Sequence, residues 1–88
     1  MQLSTDDNGD ILIDPDLLAT RLSIPAAELR RRMRIGLVSS LVETGEGADA
    51  GRRRLTVRTG NRVWRAVVDA EARLLGEETL DLKPAAAD

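Results

Sequence analysis

The segment from Gly51 to Asp69 has the pattern of a β-hairpin, and it constrains the fold more than any other part of the chain. Two β-rich runs flank the dipeptide Gly60-Asn61, which suits a two-residue loop, and a leading glycine favours a type II′ turn. If Thr59 faces Arg62 across that loop, directly opposed residues share one face of the hairpin. The predicted register then places Val57 opposite Trp64, Leu55 opposite Ala66, and Arg53 opposite Val68.

This register divides the hairpin into two faces of different chemistry. The apolar face, which we expect to point to the core, carries Leu55, Val57, Trp64, Ala66 and Val68. The basic face carries Arg52, Arg54, Thr56, Arg58, Val63, Arg65 and Val67. A shift by one residue would mix the two sets, so the turn and the alternation favour the same register.

The remaining sequence predicts two helices before the hairpin. Short strands are indicated near Gln2–Thr5 and Ile11–Ile13, and Asp14-Pro15 is typical of a helix start. That first helix should end near Leu22-Ser23, with Leu18 and Leu22 on its buried side. A second helix should run from Pro25 to about Ile35, before Gly36, with a buried stripe of Ala26, Leu29 and Met33.

Further strands complete the predicted fold. The run 37–43 indicates a strand, 44–51 a glycine-rich loop, 69–72 a turn, and 73–75 a returning strand that 77–82 either extends or leaves. This order predicts an α+β fold, with two short helices packed on one face of an antiparallel β-meander. We expect a single domain over 1–82 and a disordered tail over 83–88.

The composition disfavours an enzyme. The 88 residues include no cysteine, no histidine and no tyrosine, so the usual acid–base and nucleophilic side chains are missing. No glycine-rich phosphate-binding motif is present. We therefore predict no catalytic residue, no cofactor and no metal site. The sequence has no targeting or membrane segment, so the cytoplasm is the expected location.

A chain of this length has a thin core, and its only aromatic residue is Trp64. Disulfides are impossible without cysteine, and a structural zinc is not expected. Self-association is the other common way for a small domain to bury more surface. A homodimer is therefore a hypothesis for this chain.

Charge is sorted along the sequence although the net charge is only −2. Basic blocks at 21–34 and 52–65 alternate with acidic blocks, which fits either solvated surface or a patch for an anionic partner. On the basic hairpin face, arginines alternate with valines, a composition that suits a protein contact or sheet-to-sheet dimerisation. Plain exposure of this face remains an alternative. The candidate partner-binding residues are Arg52, Arg54, Arg58, Val63, Arg65 and Val67.

A different interpretation is DNA binding by a helix-turn-helix unit. The segment Leu18–Leu29 has the spacing of such a unit, and the arginines of the second helix would project from a recognition helix. The 44–51 loop would act as a wing. Ser23 stands where glycine's positive φ is usual, and no third helix is predicted. The candidate nucleic-acid-binding residues are Arg30, Arg31, Arg32 and Arg34.

Several motifs resemble a family of short, uncharacterised proteobacterial proteins that is known only as a domain of unknown function. They are Met33-Arg34-x-Gly36-x-Val38-x-Ser40-Leu41-x-Glu43-x-Gly45, Asp49-x-Gly51-Arg52-x-Arg54-Leu55-Thr56, Gly60-Asn61-Arg62 and Val67-Val68-Asp69. The chain departs from the family pattern at Ser23 and Ala72, where glycine would be usual. The resemblance implies a cytoplasmic stand-alone domain and brings no activity or ligand.

Overall fold

The structure is a computed structural model that describes residues 1–82. A four-stranded antiparallel meander follows two helices, and a two-stranded antiparallel pair precedes them. The predicted α+β fold is confirmed, whereas the tail expected over 83–88 lies outside the described residues. The elements are β1 (Ser4–Thr5), β2 (Ile11–Leu12), α1 (Pro15–Leu22), α2 (Ala26–Arg34), β3 (Val38–Thr44), a 3₁₀ turn (Gly47–Asp49), β4 (Arg53–Thr59), β5 (Arg62–Val68) and β6 (Leu74–Asp81).

The central hairpin has the predicted register. Thr59 pairs with Arg62 and Val57 with Trp64, and the pairing continues without a shift to Arg53 and Val68. Gly60 has a φ of 59°, whereas Asn61 does not have a positive φ. This matches a type II′ turn, because the type I′ alternative needs positive φ at both central residues.

The apolar hairpin face forms the core together with the helices. Its members Leu55, Val57, Trp64, Ala66 and Val68 are all buried, and they belong to one cluster with Leu18, Leu22 and Leu29. The prediction for Met33 was wrong, because its side chain is 45% exposed. The reason is that α1 lies on β5 while α2 packs chiefly on α1, so α2 does not cover the inner side of β3. Neither helix of residues 1–82 is long and apolar enough to cross a membrane.

The N-terminal segment is tied to the start of β6. The Leu3 amide donates to the Ala72 carbonyl and the Leu74 amide donates to the Met1 carbonyl, each at 2.8 Å. Leu3 is buried at 6% exposure and joins the core cluster. Backbone hydrogen bonds and one buried leucine therefore hold the first residues against the turn that precedes β6 and against its first residue.

Helix α1 begins and ends as the sequence predicts. The Asp14 side chain accepts from the Asp16 amide at 3.1 Å, which satisfies one of the free amides of the first turn. At the other end Ser23 has a φ of 57°, and the only other residue in 1–82 with a positive φ that is not glycine is Ala72, at 62°. These are the two positions where the family resemblance leads one to expect glycine. A left-handed backbone costs a residue with a Cβ about 1–2 kcal/mol, so both positions are strained.

We expect Ser23→Gly to raise the free energy of unfolding by about 0.5–1 kcal/mol, because relief of the left-handed strain exceeds the added chain entropy of glycine. Ala72→Gly is the matched comparison. It relieves similar strain but removes a fully buried methyl group, worth about 0.8 kcal/mol, so its net effect should be near zero. Urea unfolding followed by Trp64 fluorescence measures both. Destabilisation by Ser23→Gly, or a larger gain at Ala72, would contradict this account.

Candidate functional site

The meander has one face that points away from both helices, and we call it the outer face. Both helices lie on the other side, so no helix covers it within residues 1–82. Strand register fixes its membership, because directly paired residues share a face. The members are Ser39, Leu41 and Glu43 of β3, Arg54, Thr56 and Arg58 of β4, Val63, Arg65 and Val67 of β5, and Gly76, Glu78 and Leu80 of β6.

The sequence-predicted partner-binding residues fall on this face or at its margin. Arg54, Arg58 and Arg65 are exposed, and Val67 is half-buried. Val63 lies on the outer face by register but is only 3% exposed, so little of it is available to a partner. Arg52 precedes β4, and its Nη1 atom lies 3.6 Å from an Asp49 carboxylate oxygen. The face thus presents exposed guanidinium groups above a partly covered aliphatic layer.

Two shallow hollows lie side by side at the end of the outer face nearest the 44–52 loop. The first, of about 380 Å³, has Arg65, Gly76 and Glu78 among its lining residues. The second, of about 300 Å³, lies towards β3 and the loop. Arg54 and Val67 line both. Val67 pairs with Gly76, which has no side chain to cover it, so the first hollow opens above the valine.

Sequence reasoning did not identify the acidic and glycine members of the outer face. Glu43 pairs directly with Arg54, and an Arg65 Nη1 atom lies 3.6 Å from a Glu78 carboxylate oxygen. The arginines that the hairpin predicted therefore have acidic neighbours from β3 and β6. The positions of these acidic residues depend on how β3 and β6 pair with the hairpin. The weak alternation of residues 37–43 does not predict the pairing of β3. Among residues 1–82, no group of three or more acidic side chains lies close enough together to hold a metal ion.

The four arginines of α2 do not join this surface. They belong to the helical side of the sheet, and three of them are held by carboxylates. Arg30 reaches Asp16 at 2.8 Å, and Arg31 and Arg32 each reach Glu28 at 2.8 Å. Hydrogen bonds from these two arginines lower the pKa of Glu28 to about 2. Glu28 and Arg32 form an i,i+4 pair on α2, whereas Arg34 has no carboxylate within 4.0 Å among the described residues.

The parts of the predicted helix-turn-helix unit are only partly assembled. Ser23 does adopt the left-handed conformation that the turn needs. However, Arg32 near the end of α2 contacts Thr59, at one end of β4, whereas the 44–52 loop adjoins the other end of that strand. Strand β4 has seven residues, so its two ends lie about 20 Å apart. Helix α2 and the loop therefore do not form one compact contact surface.

Glu77 connects the core to helix α1 at the edge of the first hollow. One of its carboxylate oxygens accepts from the Trp64 indole N–H at 3.0 Å and also from the Arg21 guanidinium. The indole hydrogen bond, followed by Arg21, lowers the pKa of Glu77 below its ordinary value of 4.5. A buried tryptophan needs a partner for its N–H, and here the partner is charged and shared with α1.

A family model described as a family of unknown function, DUF6522, matches residues 1–88. The chain belongs to this family. The resemblance to a family of unknown function is thereby confirmed over the whole chain, and DUF6522 carries no activity or ligand that could be transferred. Comparison with curated proteins and comparison with solved structures each found no match.

Glu77→Gln should remove one component of acid destabilisation. Because the folded-state pKa of Glu77 is lowered, its ionised form stabilises the fold fully above about pH 4.5 and less as the pH falls through the folded-state pKa. In wild type this stabilisation is lost as the pH falls below about 4.5 and through the folded-state pKa. In Glu77→Gln the indole keeps a neutral acceptor at every pH, so no such loss is expected. Urea unfolding at several pH values between neutrality and strong acid measures the difference. Parallel stability–pH curves for the two proteins would contradict the role of Glu77.

Proposed function

We propose that this chain is a non-enzymatic, cytoplasmic binding module whose outer face contacts another protein. The observation that carries the proposal is a sheet face that no helix of residues 1–82 covers, on which arginines stand among partly buried aliphatic side chains. Arginine is enriched in protein interfaces, and its apolar stem packs on aliphatic surface while its head binds carboxylates. The two hollows, which are both lined by Arg54 and Val67, leave space into which side chains of a partner can fit.

The chemistry of the face favours an acidic protein surface over RNA. Arg54 and Arg58 have no carboxylate within 4.0 Å in residues 1–82, so their charges remain available. A guanidinium binds a carboxylate through two parallel hydrogen bonds, which gives direction as well as strength. RNA-binding sheets stack bases on aromatic side chains, and the one aromatic residue here, Trp64, is buried on the inner face.

A different chain suits this face better than a second copy stacked on it. The outer face has three arginines and two glutamates, and both glutamates already stand beside arginines of the same sheet. Two copies placed face to face would bring surplus guanidinium groups together in a water-poor interface, where like charges are costly. Homodimerisation through the outer face, the alternative from the sequence, therefore ranks second to contact with an acidic partner.

Site-specific photo-crosslinking in cells tests the proposal. We expect a photoreactive residue in place of Glu78, on the outer face, to give discrete protein adducts, and one in place of Ala27, exposed on α2, to give none. Arg54→Glu with Arg58→Glu should reduce the adduct at position 78 at least about tenfold, since hydrogen bonds to charged groups contribute roughly 1.5–3 kcal/mol each. The double variant must remain folded by circular dichroism.

Three results of this experiment would contradict the proposal. One is equal labelling from positions 27 and 78, and another is an adduct at 78 that is indifferent to both charge reversals. The third is an adduct whose mass is only twice the 9.6 kDa of the chain, because that product would assign the outer face to a second copy.

DNA binding by α2 is the second candidate, favoured by the left-handed turn at Ser23 and by the charge of Arg34. Because three of the four helix arginines are held by carboxylates, we expect no gel shift of random-sequence duplex DNA even at low salt. Retardation that Arg31→Ala, Arg32→Ala and Arg34→Ala together abolish would support this candidate instead. Its affinity should then fall with salt at a slope near −0.9 per phosphate neutralised.

A further inference from the structure

The two edges of the meander differ in how they are protected. Edge strands present unpaired backbone groups, and proteins commonly block them with charges, bulges or covering segments. Strand β6 has all three, since it carries Glu77, Glu78 and Asp81, has a register shift where it pairs with Val67 and Val68, and is tied to the N-terminal segment. Strand β3 has one charged residue, Glu43, no proline and no register shift.

Exposed apolar side chains concentrate at the same edge. Nine large hydrophobic residues are exposed in residues 1–82, and five of them lie between positions 33 and 42: Met33, Ile35, Leu37, Leu41 and Val42. On β3 itself Leu41 is 57% exposed on the outer side and Val42 is 51% exposed on the inner side. Strand β3 therefore has an exposed apolar side chain on each of its faces, and such side chains do not block pairing with another strand.

The backbone groups that β3 leaves free can be assigned. The Gly45 amide donates to the Arg52 carbonyl at 2.8 Å, so this pair is hydrogen-bonded across the hairpin of β3 and β4. Hydrogen-bonded pairs alternate along an antiparallel ladder, so residues 39, 41 and 43 also direct their backbone groups to β4. The groups that point away from β4, to the edge that no strand of residues 1–82 covers, belong to Val38, Ser40, Val42 and Thr44.

We infer that β3 pairs antiparallel with β3 of a second copy of this chain, with Leu41 opposite the same leucine of the partner at the two-fold axis. This register opposes Ser40 to the partner's Val42 and Val38 to the partner's Thr44. Every free edge residue then meets another free edge residue in a hydrogen-bonded pair. The central leucines form a non-hydrogen-bonded pair, in which side chains approach most closely.

Charge complementarity favours this occupant over an unrelated peptide. In the proposed register Glu43 stands opposite the partner's Ser39, whose neighbour on the same outer face is Arg58. The Glu43 and Arg58 backbones are then two strand spacings apart, roughly 10 Å, which extended side chains can bridge. The two-fold axis forms this ion pair twice. The pairing joins two meanders into one eight-stranded sheet. Of the two outer-face arginines without a carboxylate partner in residues 1–82, it engages Arg58 and leaves Arg54 for an acidic partner.

Cysteine crosslinking tests both the dimer and its register. The chain has no cysteine, so Leu41→Cys and Val42→Cys each introduce one thiol at a similarly exposed site. With oxidised glutathione as electron acceptor, Leu41→Cys should give at least about tenfold more disulfide-linked dimer than Val42→Cys. The reason is that only residue 41 meets its own copy within the Cα separation of about 4.4–6.8 Å that a disulfide needs. Equal crosslinking, or none at position 41, would overturn the register.

Edge substitutions test the association without a covalent bond. Sedimentation of the full chain should show a mass that rises with concentration towards twice 9.6 kDa. Ser40→Pro removes an amide that only the partner strand would use, and proline is tolerated on an edge strand, so this variant should remain folded and monomeric. Leu41→Lys, which opposes two like charges, should do the same, whereas Leu12→Lys, at a 51% exposed leucine of β2, should leave the dimer unchanged. Wild-type protein that stays monomeric at its highest soluble concentration would refute the inference.

Discussion

Burial of the single indole against helix α1 is the interaction on which the rest of the structure depends. The II′ turn at Gly60-Asn61 sets the strand register, and that register turns Trp64 inward together with Leu55 and Val57. Helix α1 supplies Leu18 and Leu22 to the same cluster. Because the chain has no other aromatic residue, this indole is the largest fully buried side chain in the core that joins the helices to the sheet. The shared carboxylate of Glu77 extends this interaction to the polar end of the indole.

The parts of the fold that follow from local sequence signals were predictable. The hairpin register follows from a two-residue loop and strict alternation. The start of α1 follows from Asp14-Pro15, and its end from the break at Ser23 and the proline after Ile24. Met33 could not be placed in this way, because its burial depends on whether α2 covers the sheet or packs on α1. The same holds for Val63, which is buried on a face that is otherwise mostly exposed. Local periodicity assigns a side chain to a face, but the packing of neighbouring elements determines the exposed fraction of that side chain.

The candidate site was predictable only in its central strands. The sequence alternates basic and acidic blocks, and folding brings members of opposite blocks together, as in the pairs of Arg21 with Glu77, Arg62 with Asp81, and Arg30 with Asp16. Surface pairs of this kind contribute little to stability, but they remove charge from the surface that a partner would meet. The outer face keeps its positive character at Arg54 and Arg58, two arginines without such a pair in the described chain. The charge of each sequence block does not distinguish Arg54 and Arg58 from the arginines that a carboxylate neutralises in the fold.

The backbone hydrogen bonds between the first three residues and the start of β6 have a consequence for biosynthesis. Met1 and Leu3 are translated before the other elements of the domain, yet their partners Leu74 and Ala72 are added only after nearly the whole domain has been translated. The N-terminal segment can therefore make these hydrogen bonds only after α1, α2 and the hairpin have been synthesised. Closure of this chain is a late, long-range event, and such contacts slow folding because their loop must be ordered before they contribute.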